Sequence, residues 1–103
     1  MIENNNFIKI ELKEAKSLME DEGLLLFDVR DKNSFDQSHM KNAINLNNQN
    51  IDDIVKKTEY KKSILIYCYK GISSQNVAQH FCNLGFENVY SLNGGYEGFF
   101  EDE

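Results

Sequence analysis

Two apolar runs restrict what this chain can fold into more than any other feature: Leu24-Leu25-Leu26-Phe27-Asp28-Val29 and Ile64-Leu65-Ile66-Tyr67. Both are short and continuous. A strand with one face in water alternates apolar and polar residues, whereas a strand of a parallel sheet is covered on both faces and reads as an unbroken apolar run. Weaker strand candidates lie at 7–10, 43–46 and 88–92.

Helical patterns separate these runs. Leu12, Ala15, Leu18 and Met19 share one helical face, as do Ile51, Ile54, Val55 and Thr58, the second group with Asp52 and Asp53 early and Lys56 and Lys57 late, as the helix dipole prefers. Val77, Ala78, Phe81 and Cys82 form a third stripe, and Gly85 predicts its end, because glycine enters the left-handed conformation that terminates helices. Strands alternating with helices predict an α/β fold: a central, mostly parallel sheet of about five strands with helices on both faces. At 103 residues, this is one domain spanning residues 1–103.

Composition excludes several function classes. No apolar run approaches the roughly 20 residues of a membrane-spanning helix, and Met1-Ile2-Glu3-Asn4-Asn5-Asn6 lacks the basic, apolar and small-residue segments of a secretory signal. A cytoplasmic protein with no membrane partner is expected. The net charge of -6 and scattered lysines oppose nucleic-acid binding. Cys68 and Cys82, with His39 and His80, make neither a disulfide framework nor a metal-ligand spacing, so no metal or cofactor is expected.

In open α/β sheets, ligands bind beyond the carboxyl ends of the strands. The run ending at Tyr67 leads directly into Cys68-Tyr69-Lys70-Gly71-Ile72-Ser73-Ser74, ahead of the third helical stripe. A loop wrapped before a helix N-terminus points backbone N–H groups inward, and these favour anions. The same field favours a thiolate, moving a cysteine from about 8.5 into the range of roughly 3.5 to 7.5. Gly71 permits the curvature and Lys70 adds positive charge. The bland alternative for Cys68 is an inert buried thiol, the commoner fate of cysteine, but its position at a strand-to-helix junction favours a nucleophile. Cys82, on an apolar stripe, reads as core packing.

The loop just described, followed by Gly85-Phe86, Val89-Tyr90-Ser91-Leu92 and Gly94-Gly95-Tyr96-Glu97-Gly98-Phe99, resembles the C-terminal half of the rhodanese family, in particular the single-domain bacterial thiosulfate sulfurtransferases of the glycerol-3-phosphate regulon. The other half resembles it through Asp28-Val29-Arg30, Phe35 and Ser38-His39-Met40-Lys41-Asn42-Ala43-Ile44-Asn45. Ser38 and Asn42 stand where the family usually has glycine, Lys41 where proline is frequent, and Phe99 or Phe100 where tryptophan is common.

The resemblance implies a double displacement. The Cys68 thiolate takes the outer sulfur of thiosulfate or another sulfane donor as a persulfide. Cyanide, a thioredoxin-like dithiol or another thiol acceptor then removes it. On this reading Lys70 recruits the dianion or is merely solvated, Tyr69 and Ile72 line the pocket mouth (Ile72 chiefly as packing), and Ser73 and Ser74 either donate to the persulfide or cap the helix. Asp28 and Arg30 make a supporting ion pair, and His39 braces rather than acts as a base. Three alternatives remain open: a persulfide carrier between proteins, a non-catalytic module of the same fold, and a phosphatase. The last needs an arginine closing a Cys-x5-Arg loop. Position 74 is serine and Arg30 is the only arginine.

Overall fold

The computed structural model describes residues 6–102. The segment 1–5, on which part of the targeting expectation rests, lies outside them. The two apolar runs form β2 (Leu25–Asp28) and β4 (Ser63–Tyr67), flanked by β1 (Ile8–Ile10), β3 (Ile44–Asn45) and β5 (Asn88–Leu92). All pair in parallel, in the order β1-β5-β4-β2-β3, with Leu25 to Asp28 in register with Ile64 to Tyr67.

Both faces of the sheet are covered, which is why the central strands carry no polar alternation. On one face Phe27, Ile64, Ile66 and Val89 pack with α3 (Ile51–Lys57) and α4 (Ser73–Asn83) through Ile51, Ile54, Val55, Ala78, Phe81 and Cys82. On the other, Leu26, Leu65, Tyr67 and Leu92 meet Leu12, Ala15, Leu18 and Met19 of α1 (Leu12–Met19) and Tyr96 and Phe99 of α5 (Gly95–Asp102). Period-2 alternation within β4 thus sends Ile64 and Ile66 to one layer, Leu65 and Tyr67 to the other.

The three helical stripes are therefore present, with Thr58 just past the end of α3 and Gly85, at φ +109, terminating α4. Two helices are additional. In α2 (Lys32–Gln37) no residue is buried, so no apolar stripe announces it; it is held by Asp31, whose side chain accepts the Ser34 N–H at 3.0 Å. In α5 the glycines at 95 and 98 depress helix propensity.

No helix among the described residues is long and apolar enough to cross a membrane.

Candidate active site

Cys68 follows the last residue of β4 and is 3% exposed. The chain then turns through Gly71, at φ +91, into α4. Glycine is required there on two counts. The backbone is left-handed, and a Cβ would lie 2.8 Å from the Gly94 nitrogen and 2.9 Å from the Leu92 carbonyl oxygen.

The turn aims donors at sulfur. The Gly71 N–H donates to Cys68 Sγ at 3.1 Å and the Ser74 N–H at 3.3 Å, while Ser74 Oγ lies 3.4 Å from Sγ. The amides of Lys70, Ile72 and Ser73 donate to no backbone carbonyl among the described residues. Burial alone would push the thiol up, but hydrogen bonds from the Ser74 and Ser73 hydroxyls and the Ser74 and Gly71 amides outweigh it and bring Cys68 down to about 7. Near neutral pH this sulfur is substantially thiolate. Burial pushes Cys82 the other way, upward.

The outward side of the loop is held by α5. The N–H groups of Tyr96 and Glu97, in the first turn of that helix, donate to the carbonyl oxygens of Cys68 (2.7 Å) and Tyr69 (2.9 Å). Helix N-termini have orphan donors, and here they fix two peptide planes so that the Cys68 and Tyr69 carbonyls face α5. Gly94 and Gly95, both at positive φ, bring α5 that close.

Asp28 and Arg30 form the buried ion pair expected of them, 0% and 7% exposed. Arg30 Nε lies 3.1 and 3.0 Å from the two carboxylate oxygens, and Nη2 donates to Oδ2 at 2.8 Å and to the Ser38 carbonyl at 2.5 Å. Burial opposes the guanidinium charge, but the Asp28 hydrogen bonds and charge more than offset it, so its pKa is raised. Three tyrosine rings surround the guanidinium, with centroids at 4.0 Å (Tyr96), 5.5 Å (Tyr69) and 5.8 Å (Tyr67). Arg30 is therefore committed to Asp28 and the rings.

Two expectations for the loop need correction: Ile72 as packing and the serines as helix caps. Ile72 is not packing: it is 71% exposed, because the turn at Gly71 throws it outward. Neither Ser73 nor Ser74 caps α4. The N-cap position is Ile72, with no side-chain hydrogen bond, and Ser74 is instead fully buried against sulfur. Tyr69 faces away from the loop's interior, donating to Asp31 Oδ1 at 2.8 Å, contacting the Ser34 hydroxyl and lining a cleft of about 450 Å³ with Arg30, Tyr96 and Phe100. Lys70 borders a shallow depression shared with Glu97 and Glu101. His39 stacks on Phe35 and pairs its Nδ1 with the Phe35 carbonyl at 2.7 Å, a brace as expected. Among the described residues no group of three or more His, Cys, Asp or Glu is arranged to hold a metal ion.

One residue at the site is absent from the sequence-based candidates. Ser91 of β5 is fully buried, and its hydroxyl lies 2.8 Å from Ser74 Oγ. The sequence signal was a lone polar residue at a strand position whose face is otherwise apolar.

The rhodanese-like domain family model matches residues 11–102, nearly the whole chain. This protein belongs to the rhodanese family. Its relatives include proteins named thiosulfate sulfurtransferase GlpE from Vibrio cholerae, 42% identical over 93 residues (90% of this chain and 88% of the relative), and from Coxiella burnetii, 43% identical over 84 residues (82% and 78%). The human single-domain sulfurtransferase TSTD1 superposes with a TM-score of 0.82 at 19% identity, covering 92% of this chain and 96% of that one, which shows a shared fold. A rhodanese-like domain protein of Staphylococcus aureus does so at 0.75 and 22% identity, over 88% and 89%. In this rhodanese the departures at positions 38 and 42 have different consequences. Asn42 is at φ +70, the left-handed geometry that glycine favours and asparagine tolerates, whereas Ser38, at φ -169, is extended and needs no glycine.

Proposed function

We propose that this rhodanese is a thiosulfate sulfurtransferase working through a persulfide on Cys68. The observation that carries the reading is the pair of amide donors, Gly71 and Ser74, converging on a sulfur whose pKa is about 7. The names of the relatives support thiosulfate as donor.

The Cys68 thiolate attacks the outer sulfur of thiosulfate. A new S–S bond forms, the sulfur–sulfonate bond breaks, and sulfite leaves with the electron pair. The persulfide's terminal sulfur then carries the negative charge toward the amides of the loop, stabilisation of the kind an oxyanion hole gives. Cyanide attacks that sulfur to give thiocyanate. A thiolate acceptor, such as one arm of a thioredoxin-like dithiol, becomes a persulfide instead. Either way Cys68 leaves as thiolate, so no separate general base is needed. The Asp28–Arg30 pair and the tyrosines around it support the wall of the loop, and with Arg30 so committed no guanidinium is left for phosphate, which disfavours the phosphatase alternative. A cytoplasmic setting, with its reduced thiol acceptors, suits this chemistry.

A second reading, persulfide carriage between protein partners, is favoured by one observation. Lys70, the residue best suited to an anionic donor, shares its depression with the carboxylates Glu97 and Glu101, which weaken its pull on a dianion.

The test is intact-mass measurement after incubation with thiosulfate, repeated with Cys68→Ser and Cys82→Ser. The added sulfur is expected in wild type and Cys82→Ser and not in Cys68→Ser; sulfur retained without Cys68 sinks the assignment. Sulfite release under turnover with cyanide distinguishes an enzyme from a carrier that loads once.

A further inference from the structure

The hydroxyl pair behind the loop has a consequence for the sulfur. Ser74 contributes one hydrogen-bond donor through its side chain, and two groups compete for it: Cys68 Sγ at 3.4 Å and Ser91 Oγ at 2.8 Å. Between two hydroxyls and a sulfur only two arrangements keep the chain intact. With Cys68 as a thiol, S–H donates to Ser74 and Ser74 donates to Ser91. With Cys68 as a thiolate, Ser74 donates to sulfur and must accept from Ser91.

Ser91 is placed to complete either arrangement, and only the second serves a thiolate. It stands on β5 in register with Ile66 of β4, on the face that Val89 shares with α4, so its side chain meets the first turn of that helix. Both serines are 0% exposed. A buried hydroxyl in the middle of a sheet costs stability unless it is satisfied, and an apolar residue here would have joined the core beside it. The hydroxyl therefore has a reason to be there other than packing.

We propose that Ser91 is a positioning residue for Cys68: by donating to Ser74 Oγ, it turns the Ser74 hydroxyl hydrogen onto sulfur and makes it a stronger donor to the thiolate and to the persulfide that replaces it. Successive hydrogen bonds polarise one another, so the donor one step removed strengthens the bond to sulfur. This rests on Cys68 being the sulfur-carrying group. The other titratable groups facing the loop make no hydrogen bond to Sγ: Tyr67 on β4, Tyr69 and Lys70 in the loop, the Asp28–Arg30 pair at the end of β2, and Tyr96 and Glu97 on α5. They are unchanged in the variants below.

The experiment follows iodoacetamide alkylation of Cys68 against pH, resolved from Cys82 by peptide mass, in wild type, Ser91→Ala, Ser74→Ala and the double variant. Ser91→Ala is expected to raise the apparent pKa of Cys68 by about 0.2 to 0.6 unit, the scale of a partial weakening of one hydrogen bond to a charged group. In the Ser74→Ala background the same change is expected to do nothing, because its route to sulfur is gone. An unmoved pKa in Ser91→Ala overturns the proposal, as does an equal shift in both backgrounds. If Ser91→Ala loses its cooperative melting transition, Ser91→Cys keeps the volume with a weaker donor and is read the same way: a shift upward supports the proposal, none overturns it. Alkylation requires no sulfur donor, so failure here is separable from failure of the persulfide reading, which the Cys68→Ser mass experiment decides.

Discussion

Gly95 is seated against the carbonyl oxygen of Cys68 so closely that a Cβ at position 95 would lie 2.5 Å from it, and equally close to the carbonyl oxygen of Tyr69. The contact joins α5 to the back of the loop, where the Tyr96 and Glu97 amides take those same two oxygens. Orientation of the loop peptides, and hence the inward aim of its donors, depends on a glycine some 27 positions downstream of the cysteine in the chain.

Gly95→Ala is accordingly expected to cost about 3 kcal/mol, combining a left-handed φ of +56 with a backbone clash that no side-chain rotation relieves. Urea denaturation measures the loss, and sulfur uptake from thiosulfate should fall with it. Gly98→Ala is the control. Nothing lies within 4 Å of its Cβ position, so within a helix it should be neutral or stabilise by up to about 1 kcal/mol.

The pH dependence follows from a Cys68 pKa of about 7. Well below that value the initial rate of sulfur uptake should rise about tenfold per pH unit, levelling above it. A profile still rising through pH 8.5 would contradict the hydrogen-bonded thiolate. Stability shifts in a defined direction too. The unfolded thiol titrates near about 8.5, so between the two values the unfolded chain holds a proton that the native protein has lost. The ionised sulfur therefore adds stability as pH rises through that window, and the contribution is lost as pH falls through about 7. Melting curves of wild type and Cys68→Ser across pH 6 to 9 separate this term from the rest.

Asp28→Asn leaves the Arg30 guanidinium buried without its counter-charge. Removing one partner of such a pair costs roughly 3–5 kcal/mol, and denaturant titration should show a loss of that order. Arg30→Lys keeps the charge but not the fork that bonds Asp28 and the Ser38 carbonyl together. It should lose stability as well, and with the planar cation gone from between the tyrosines, uptake should slow.

At Asn42 the backbone is at φ +70. Asn42→Ala should destabilise by about 1 kcal/mol, because alanine lacks asparagine's tolerance of that region. Asn42→Gly should not. Thermal melts of the two variants side by side test whether the left-handed turn, and not the asparagine side chain, is what the position requires.

Much of the fold could be read from residue order, because local pattern and burial agree there. Continuous runs such as Ile64 to Tyr67 announce strands covered on both faces, and helices α1, α3 and α4 show apolar stripes. Helix α2 has no stripe because none of its residues is buried, and α5 is obscured by Gly98 and by Gly95, the latter serving contact with the loop. The sequence by itself determined the strand-end cysteine, the glycine that lets its loop turn, the parallel sheet beneath it and the lack of a second arginine. Those are properties of neighbours along the chain. Only the tertiary structure decided which groups face the sulfur: that Ser74 is buried against it while Ile72 is thrown into solvent, that Lys70 sits beside two carboxylates, that Ser91 stands behind Ser74, and that Gly95 presses on the loop. Each of these depends on residues brought together by strand order and helix packing, and contacts across β4, β5 and α5 leave no periodicity in the sequence from which they could be read.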